Sequence, residues 1–440
     1  MFQDADEACA AAQEAFVQLS EKGVAGRVKV IQLVKDICDA KSEEWGRLEL
    51  DETKIGRLDH KIEKLTGQRA IPGVEFLNPY GLSGDHGITL EEYAPFGVIG
   101  AVTPSTHSIP TMACNIISMV AAGNSAVFNA HPGAYKCAVT AARYFNQAIH
   151  RELGIENLAC IVEPPTLESF AAIAKNEHVK LLCVTGGPGV VKAAMASGKR
   201  AVCAGPGNPP VLVDGTSCLD NAAKCVVFGA AYDNNLLCIG EKEVFVPEPF
   251  FDKFMAALEK NGAFRLNNSQ VETLAKAAFV FPPGQGAGCP HPVVNRDLIG
   301  RDPDVLAKAA GVMIPHGTQL LIAETPVDHL FVEEEQMMPF LPVVRVKSVE
   351  EGVVASKKAE QGYKHSAMIH SHDVANMTAM ARALETTLFI KNGSCLAGLG
   401  SGGEGYSNFS IATTTGEGIC NPRTFTRVRR CVMVDKLRIF

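Results

Sequence analysis

The chain has 440 residues, 47% of them hydrophobic, and a formal net charge of −7 at pH 7. That length exceeds one typical hydrophobic core, so two or three domains are expected, and the apolar fraction excludes a disordered chain. The acidic balance argues against nucleic acid as a partner, and no apolar run reaches the ~18 residues of a membrane span.

From Asp4 to about Leu65, apolar residues recur at three- and four-residue spacing, which predicts amphipathic helices. "GITLEEYAPF", near residue 90, reads as a strand projecting from the body. From Phe96 the texture changes. "FGVIGAVTPS" is a buried-type strand, followed by the helix "IPTMACNIISMVAAGN", then the strand "SAVFNAH" and the helix "YKCAVTAARYFNQAIH". "NLACIVEPP" with "LESFAAIAKN", and "VKLLCVTGG" with "GVVKAAMASG", repeat the pair, and "RAVCAGPG" is a fifth strand. Near-continuously apolar strands alternating with helices imply a parallel sheet covered on both faces.

After "GPGNPP" the alternation restarts with the strand "PVLVD", the helix "LDNAAKCVVFGAAY" and the strand "KEVFVP". Helices near 250–260 and 302–310 follow, then the strands "QLLIAET", "LPVVRVK", "SAMIHS" and "TLFIKN". The tail "TFTRVRRCVMVDKLRIF" reads as a long strand which, like "GITLEEYAPF", is free to pair outside its own domain. The expected organisation is α/β: residues 1–205 as helices and a nucleotide-binding domain, 206–409 as a second α/β domain, and 410–440 as a tail. The two projecting strands, one at 88–96 and one in the tail, suggest an oligomerisation element.

The 14 cysteines run from Cys9 to Cys431 without a C-x-x-C pair, which suits neither a disulfide framework nor a zinc site. Most read as small buried hydrophobes in a reducing cytosol. His365, His370 and His372 of "KHSAMIHSHD" lie on a strand whose sole carboxylate is the adjacent Asp373, so no metal is expected there.

Three loops are candidate sites. Residues 103–110 ("TPSTHSIP") and 185–191 ("TGGPGVV") fall at the carboxyl ends of strands, where open α/β sheets bind ligands. The second runs from glycines into a helix, a setting for an anionic pyrophosphate, although Lys192 stands where the last Gly of G-x-G-x-x-G would be. The third loop holds Cys238. A free thiol titrates near ~8.5 and needs a helix N-terminus, a cation or a base to act as a nucleophile. With thirteen other cysteines in the chain, composition alone does not single it out.

Context does. "YDNNLLCIGEKEV", preceded by "GPGNPPVLVD", resembles the active-site region of the aldehyde dehydrogenase superfamily, in particular its coenzyme-A-acylating branch. The likeness extends over nearly the whole chain, through "FGVIGAVTPST", "MVAAGN", "HPGA", "VTGGPGVV", "EEQMMPFLPVVRV", "HSAMIHS", "GGEGYSNFSIATTTGEG" and "RTFTRVRRCVMVD". The last two are most similar to the propionaldehyde and acetaldehyde dehydrogenases of bacterial microcompartments.

The resemblance implies a Rossmann-like cofactor domain, a catalytic domain and a small bridging oligomerisation element. It makes Cys238 the nucleophile, forming a thiohemiacetal that passes hydride to NAD⁺ and leaves a cysteine thioester. Cofactor contacts then fall at Thr103, Pro104 and Ser105, at Asn129 and His131, at Thr185, Gly186, Gly187, Gly189 and Val190, and at Gly205, Glu335, Pro339 and His365. Where many family members have an oxyanion-binding Asn, this chain has His107; donation by its ring and simple packing are both open. Hydrolytic relatives carry a water-activating glutamate in the segment here spanning 203–211, which contains no Glu, Asp or His. A thiol needs no such base, so acyl-CoA rather than free acid is the expected product.

NAD⁺ is the expected cofactor, with NADP⁺ tolerated because "FNAHPGA" has no carboxylate to repel a 2′-phosphate. The implied partners are a small aldehyde (propionaldehyde first), coenzyme A, further copies of the chain as a dimer or dimer of dimers, and microcompartment shell or lumen proteins. The implied place is the cytoplasm, in a microcompartment lumen. The competing readings are a hydrolytic aldehyde dehydrogenase, a non-redox cysteine acyltransferase and a catalytically silent scaffold.

Overall fold

The structure, a computed structural model, describes residues 1–281 and 292–435. The chain forms two compact units: residues 1–53, 61–205 and 406 onward make the first, and residues 54–60 and 206–405 the second.

The first unit opens with α1 (Ala5–Glu21), α2 (Gly23–Ala40) and α3 (Ser42–Thr53); α4 (Leu58–Thr66) straddles the boundary. Asp4 starts α1 by accepting from the Asp6 and Glu7 amides at 2.8 and 2.9 Å. The buried face of α1 is Ala5, Ala8, Cys9, Ala12, Ala15 and Leu19. These mostly small side chains let the helix come close enough for Ser125 Oγ to donate to the Ala12 carbonyl at 2.7 Å. After β1 (Tyr80–Gly84) and β2 (Gly87–Pro95) the alternation begins: β3 (Val98–Thr103), α5 (Ser108–Ala121), β4 (Ser125–Ala130), α6 (Tyr135–Leu153), β5 (Ala159–Ile161), α7 (Leu167–Lys175), β6 (Val179–Thr185), α8 (Pro188–Met195) and β7 (Arg200–Ala204).

Strands β3 to β7 form a parallel sheet in the order β5-β4-β3-β6-β7. Every residue of β3 and β4 is buried, which explains their largely apolar sequences. The chain steps outward from β3 to β5, then returns to lay β6 on the other side of β3. The order therefore reverses between β3 and β6, and open α/β sheets bind ligands at the carboxyl ends of strands at such a point.

The second unit runs β8 (Pro210–Val213), α9 (Leu219–Ala231), β9 (Glu243–Pro247), α10 (Glu248–Lys260), β10 (Ala263–Arg265), α11 (Asn268–Ala278), a short pair β11 (Phe279–Val280) and β12 (Val293–Val294), α12 (Pro303–Ala309), β13 (Leu320–Glu324), α13 (Leu330–Glu333), β14 (Phe340–Val346), α14 (Val349–Glu360), β15 (Ser366–His370), α15 (Val374–Leu384) and β16 (Leu388–Lys391). Its seven-stranded parallel sheet has the order β10-β13-β14-β9-β8-β15-β16.

The chain then completes the first unit with the short pair β17 (Ile411–Ala412) and β18 (Gly418–Ile419), and with β19 (Thr426–Val434). β19 pairs antiparallel with β2 from Thr426 opposite Pro95 to Val434 opposite Gly87, giving a sheet ordered β1-β2-β19. The two strands read as free to pair elsewhere thus pair with each other. The expected continuation through 436–440 lies outside the described residues. From Arg427 to Val434 every residue of β19 is exposed, and Arg430 forms an ion pair with Glu91. Among the described residues no helix is long and apolar enough to cross a membrane.

Candidate active site

In the first unit, the loops after β3 and β6 leave adjacent strands at the same edge. Thr103 is buried, with Oγ1 3.4 Å from Ser108 Oγ, and Pro104 and Ser105 are partly exposed. His107, 6% exposed, precedes α5; its ring centroid lies 5.5 Å from that of Phe409, and its Nδ1 has no partner among the described residues. Burial first, then the charges of Lys64 and Lys61, hold His107 well below the usual imidazole range, so the ring is neutral. The loop is fixed from beneath. Lys61 Nζ lies 3.1 Å from Glu49 Oε1 with both side chains buried, and Glu49 Oε2 accepts from the Ile109 amide at 3.1 Å.

At the end of β6, Thr185 Oγ1 meets Ser410 Oγ at 3.1 Å, and the Gly186 amide donates to the Ala204 carbonyl at 3.2 Å. Exposed Gly187 caps α8, whose first residue is Pro188; the first N–H groups of that helix therefore belong to Gly189 and Val190. A Cβ on Gly187 or Gly189 would meet nothing within 4 Å, so the turn is uncrowded and leaves room for a ligand such as a pyrophosphate. Asn129, near the end of β4, and His131, just after it, lie at the same edge. The Asn129 amide is spent internally, donating to the Thr166 carbonyl at 3.1 Å and accepting from Ser169 Oγ at 2.6 Å. His131 is exposed and accepts from the Gly133 amide at 3.0 Å. Gly205 follows β7, where a Cβ would stand 2.7 Å from Thr414 Oγ1.

In the second unit, Cys238 follows a turn in which Asp233, Asn234 and Asn235 all take left-handed backbone angles, with φ of 49°, 56° and 61°. Such angles suit Asn and Asp, and partners fix them here. The Asp233 amide donates to His60 Nδ1 at 2.8 Å, Asp233 Oδ1 accepts from the Arg57 amide at 2.8 Å, and Asn234 Nδ2 donates to the Gly300 carbonyl at 3.0 Å. This is how residues 54–60 join the second unit.

Cys238 is half-buried. Gly207 packs against it: a Cβ there would lie 2.6 Å from the Cys238 carbonyl oxygen and 2.8 Å from His365 Cγ. His365 is fully buried, its Nδ1 2.8 Å from Ser366 Oγ and its amide donating to Glu360 Oε1 at 2.9 Å. Its Nε2 has no partner among the described residues, and burial lowers the ring to about 4. Burial first and then the charge of Glu335 push the Cys238 thiol up to about 12, while Lys242 pulls it down. Glu335 is itself lifted to about 7 by burial, against the pull of Lys242 and a hydrogen bond from the Gly207 backbone. Pro339 stands apart, buried at the entry to β14, with its carbonyl accepting from the Leu321 amide at 2.9 Å.

The geometry therefore assembles two groups. One is a neutral imidazole beside a glycine turn at the switch point of the first sheet. The other joins Cys238, Glu335 and His365 around Gly207. Sequence reading missed Gly207 and Lys242. The signal for Lys242 was present: "GEKE" sets three ionisable residues at the entry to an otherwise apolar strand, and all three are buried.

A model of the aldehyde dehydrogenase family matches residues 2–271. The chain belongs to the aldehyde dehydrogenase family. This aldehyde dehydrogenase is 44% identical to the acetylating acetaldehyde dehydrogenase EutE of Salmonella typhimurium, over 100% of this chain and 93% of that protein. It is 39% identical to the Rhodopseudomonas palustris propionaldehyde dehydrogenase solved with bound propionyl-CoA, with a TM-score of 0.93 over 99% of this chain and 95% of that chain. The propionaldehyde dehydrogenase from the Clostridium phytofermentans fucose utilisation bacterial microcompartment is 38% identical, with a TM-score of 0.95 over 100% of this chain and 99% of that one.

Proposed function

We propose that this chain is a coenzyme-A-acylating, NAD-dependent aldehyde dehydrogenase acting on short aldehydes, propionaldehyde first. One observation carries the choice of product. The segment in which hydrolytic relatives hold their water-activating glutamate passes directly beside Cys238 through Gly207, and from Cys203 to Val211 it offers no carboxylate or imidazole. General-base help to water is worth roughly 10²–10⁴-fold, and a thiol does not need it.

In this reading the Cys238 sulfur loses its proton and adds to the aldehyde carbon, giving a thiohemiacetal. His107, neutral and with a free nitrogen, is the proposed donor to the oxyanion, a contact worth roughly 3–4 kcal/mol. NAD⁺ supplies the acceptor for the hydride that leaves that carbon. The glycine turn at Gly186, Gly187 and Gly189, with Thr185, Val190 and residues 103–105, is proposed to hold its pyrophosphate, and Glu335 its ribose. The resulting thioester on Cys238 is attacked by the coenzyme A thiol, which takes the acyl group and frees the cysteine sulfur. His365, buried against Gly207, flanks that exchange.

Glu335 is the acid whose charge reaches Cys238, so the hydrolytic alternative turns on it. The test follows NADH formation from propionaldehyde and acetaldehyde, with and without coenzyme A, and identifies the product. Coenzyme-A-dependent NADH with acyl-CoA as product supports the assignment. Equal rates without coenzyme A, with free acid formed, overturn it.

We further propose that the exposed strand β19 joins copies of the chain into a dimer or dimer of dimers, and that the enzyme works in a microcompartment lumen beside shell or lumen proteins. A mostly exposed strand at the edge of its sheet, with Val428, Val432 and Val434 on its surface, supports the first, and likeness to a microcompartment enzyme the second.

A further inference from the structure

Four residues after Cys238 stands a lysine that the mechanism above does not use. Lys242 is fully buried. Its ammonium donates to the Asn235 carbonyl at 2.8 Å, to Asn235 Oδ1, and to the Leu237 carbonyl at 3.0 Å. All three donors are thus spent on the short loop that delivers Cys238, and all three acceptors are neutral. Asn235 in turn donates from Nδ2 to the Glu241 carbonyl at 3.0 Å, so the loop is tied at both ends.

Neutral oxygens orient an ammonium but do not balance its charge, and an unbalanced charge inside a protein is costly. The groups whose charges reach Lys242 are Glu335, Cys238, Cys395 and Glu241; Glu243 and His365 feel its charge in return. Of these, Cys238 and Glu335 belong to the proposed site. We infer that Lys242 is a positioning residue for the nucleophile: it clamps the loop carrying Cys238, and among the described residues it is the counter-charge for which the Cys238 thiolate and the Glu335 carboxylate compete. Thiolates that attack at neutral pH sit beside such a cation. When Glu335 is neutral, the sulfur loses its competitor for the ammonium within the proposed site. Once the sulfur is acylated and uncharged, the same ammonium favours an ionised Glu335.

The inference rests on Cys238 being the nucleophile, and the experiment separates the two. The full-length protein is treated with iodoacetamide across pH 6–10, and alkylation of the Cys238 peptide is followed by mass spectrometry alongside loss of NADH formation. If alkylation of Cys238 leaves activity intact, the catalytic reading fails whatever Lys242 does. If activity is lost, Lys242→Met is expected to slow alkylation of Cys238 about tenfold at each pH in this range, as a one-unit rise of the thiol would, with Lys242→Arg recovering most of it. A folded Lys242→Met protein whose profile overlays the wild type overturns the inference. Should that variant not fold, Glu335→Gln decides. Faster alkylation at fixed pH supports the competition, and an unchanged rate overturns it.

Discussion

The two units treat buried charge in opposite ways. In the first, Lys61 meets Glu49 and the second oxygen of Glu49 meets the Ile109 amide, while Glu52 accepts from the Lys136 and Cys137 amides at 2.9 and 2.7 Å. In the second, Lys242 is held by neutral oxygens alone. Around it both carboxyl oxygens of Glu243, one of Glu241, and Nε2 of His365 lack partners among the described residues. Buried polar groups are nearly always satisfied, so a cluster of exceptions marks a place built for something other than stability. The first arrangement holds a loop still; the second keeps charge available for a reaction.

That contrast can be broken most severely at Cys238. Cys238→Ser should reduce coenzyme-A-dependent NADH formation on the order of 10⁴-fold or more while the thermal midpoint stays put. Lys61→Met should do the reverse. It strands a buried carboxylate at a cost of about 3–5 kcal/mol, visible in denaturant unfolding, and adding Glu49→Gln should return most of it. If Lys61→Met unfolds at the wild-type midpoint, the first unit's pairing is not structural.

Gly207→Ala sharpens the picture of the second site. Its Cβ would meet the Cys238 carbonyl oxygen at 2.6 Å, backbone that cannot swing aside, so the nucleophile must shift. A fall in kcat of about 10²-fold is expected; unaltered kinetics would detach Gly207 from the site. The smallest effect is on pH dependence. Burial lowers His370 to about 4, and neither of its ring nitrogens has a partner among the described residues. An unfolded histidine takes up its proton near ~6.5, so the stability gained by keeping this ring neutral is complete above that pH and is lost as pH falls toward 4. His370→Gln should narrow the difference in unfolding free energy between pH 7 and pH 5 by roughly 2 kcal/mol.

Much of this was legible before any coordinates. Doubly covered parallel strands must be apolar throughout, so β3, β4, β6 and β14 announce themselves. β10 was missed because three residues of "AFR" give no periodicity. α11, where Val271, Leu274, Ala275 and Ala278 follow helical spacing behind a capping box of Asn267 and Gln270, was legible and overlooked. β1, "YGLSG", carries no strand pattern because four of its five residues are exposed. The site divides likewise. The switch-point loops follow from strand order, whereas nothing local separates Cys238 from thirteen other cysteines, and only the chain of motifs around it does. Lys242 and Gly207 were invisible for a different reason: their importance lies in distances to residues far along the chain.

One last consequence follows from the ladder that joins β19 to β2, register partners such as Thr426 and Pro95. A ribosome releases the strands of the seven-stranded sheet by Lys391, but β2 waits for its neighbour until Thr426 to Val434 have followed. Contacts this remote in the chain form slowly, and domains usually mature in the order of their synthesis. Here the strands of the first unit begin to emerge before those of the second, yet its last strand pairing forms after them.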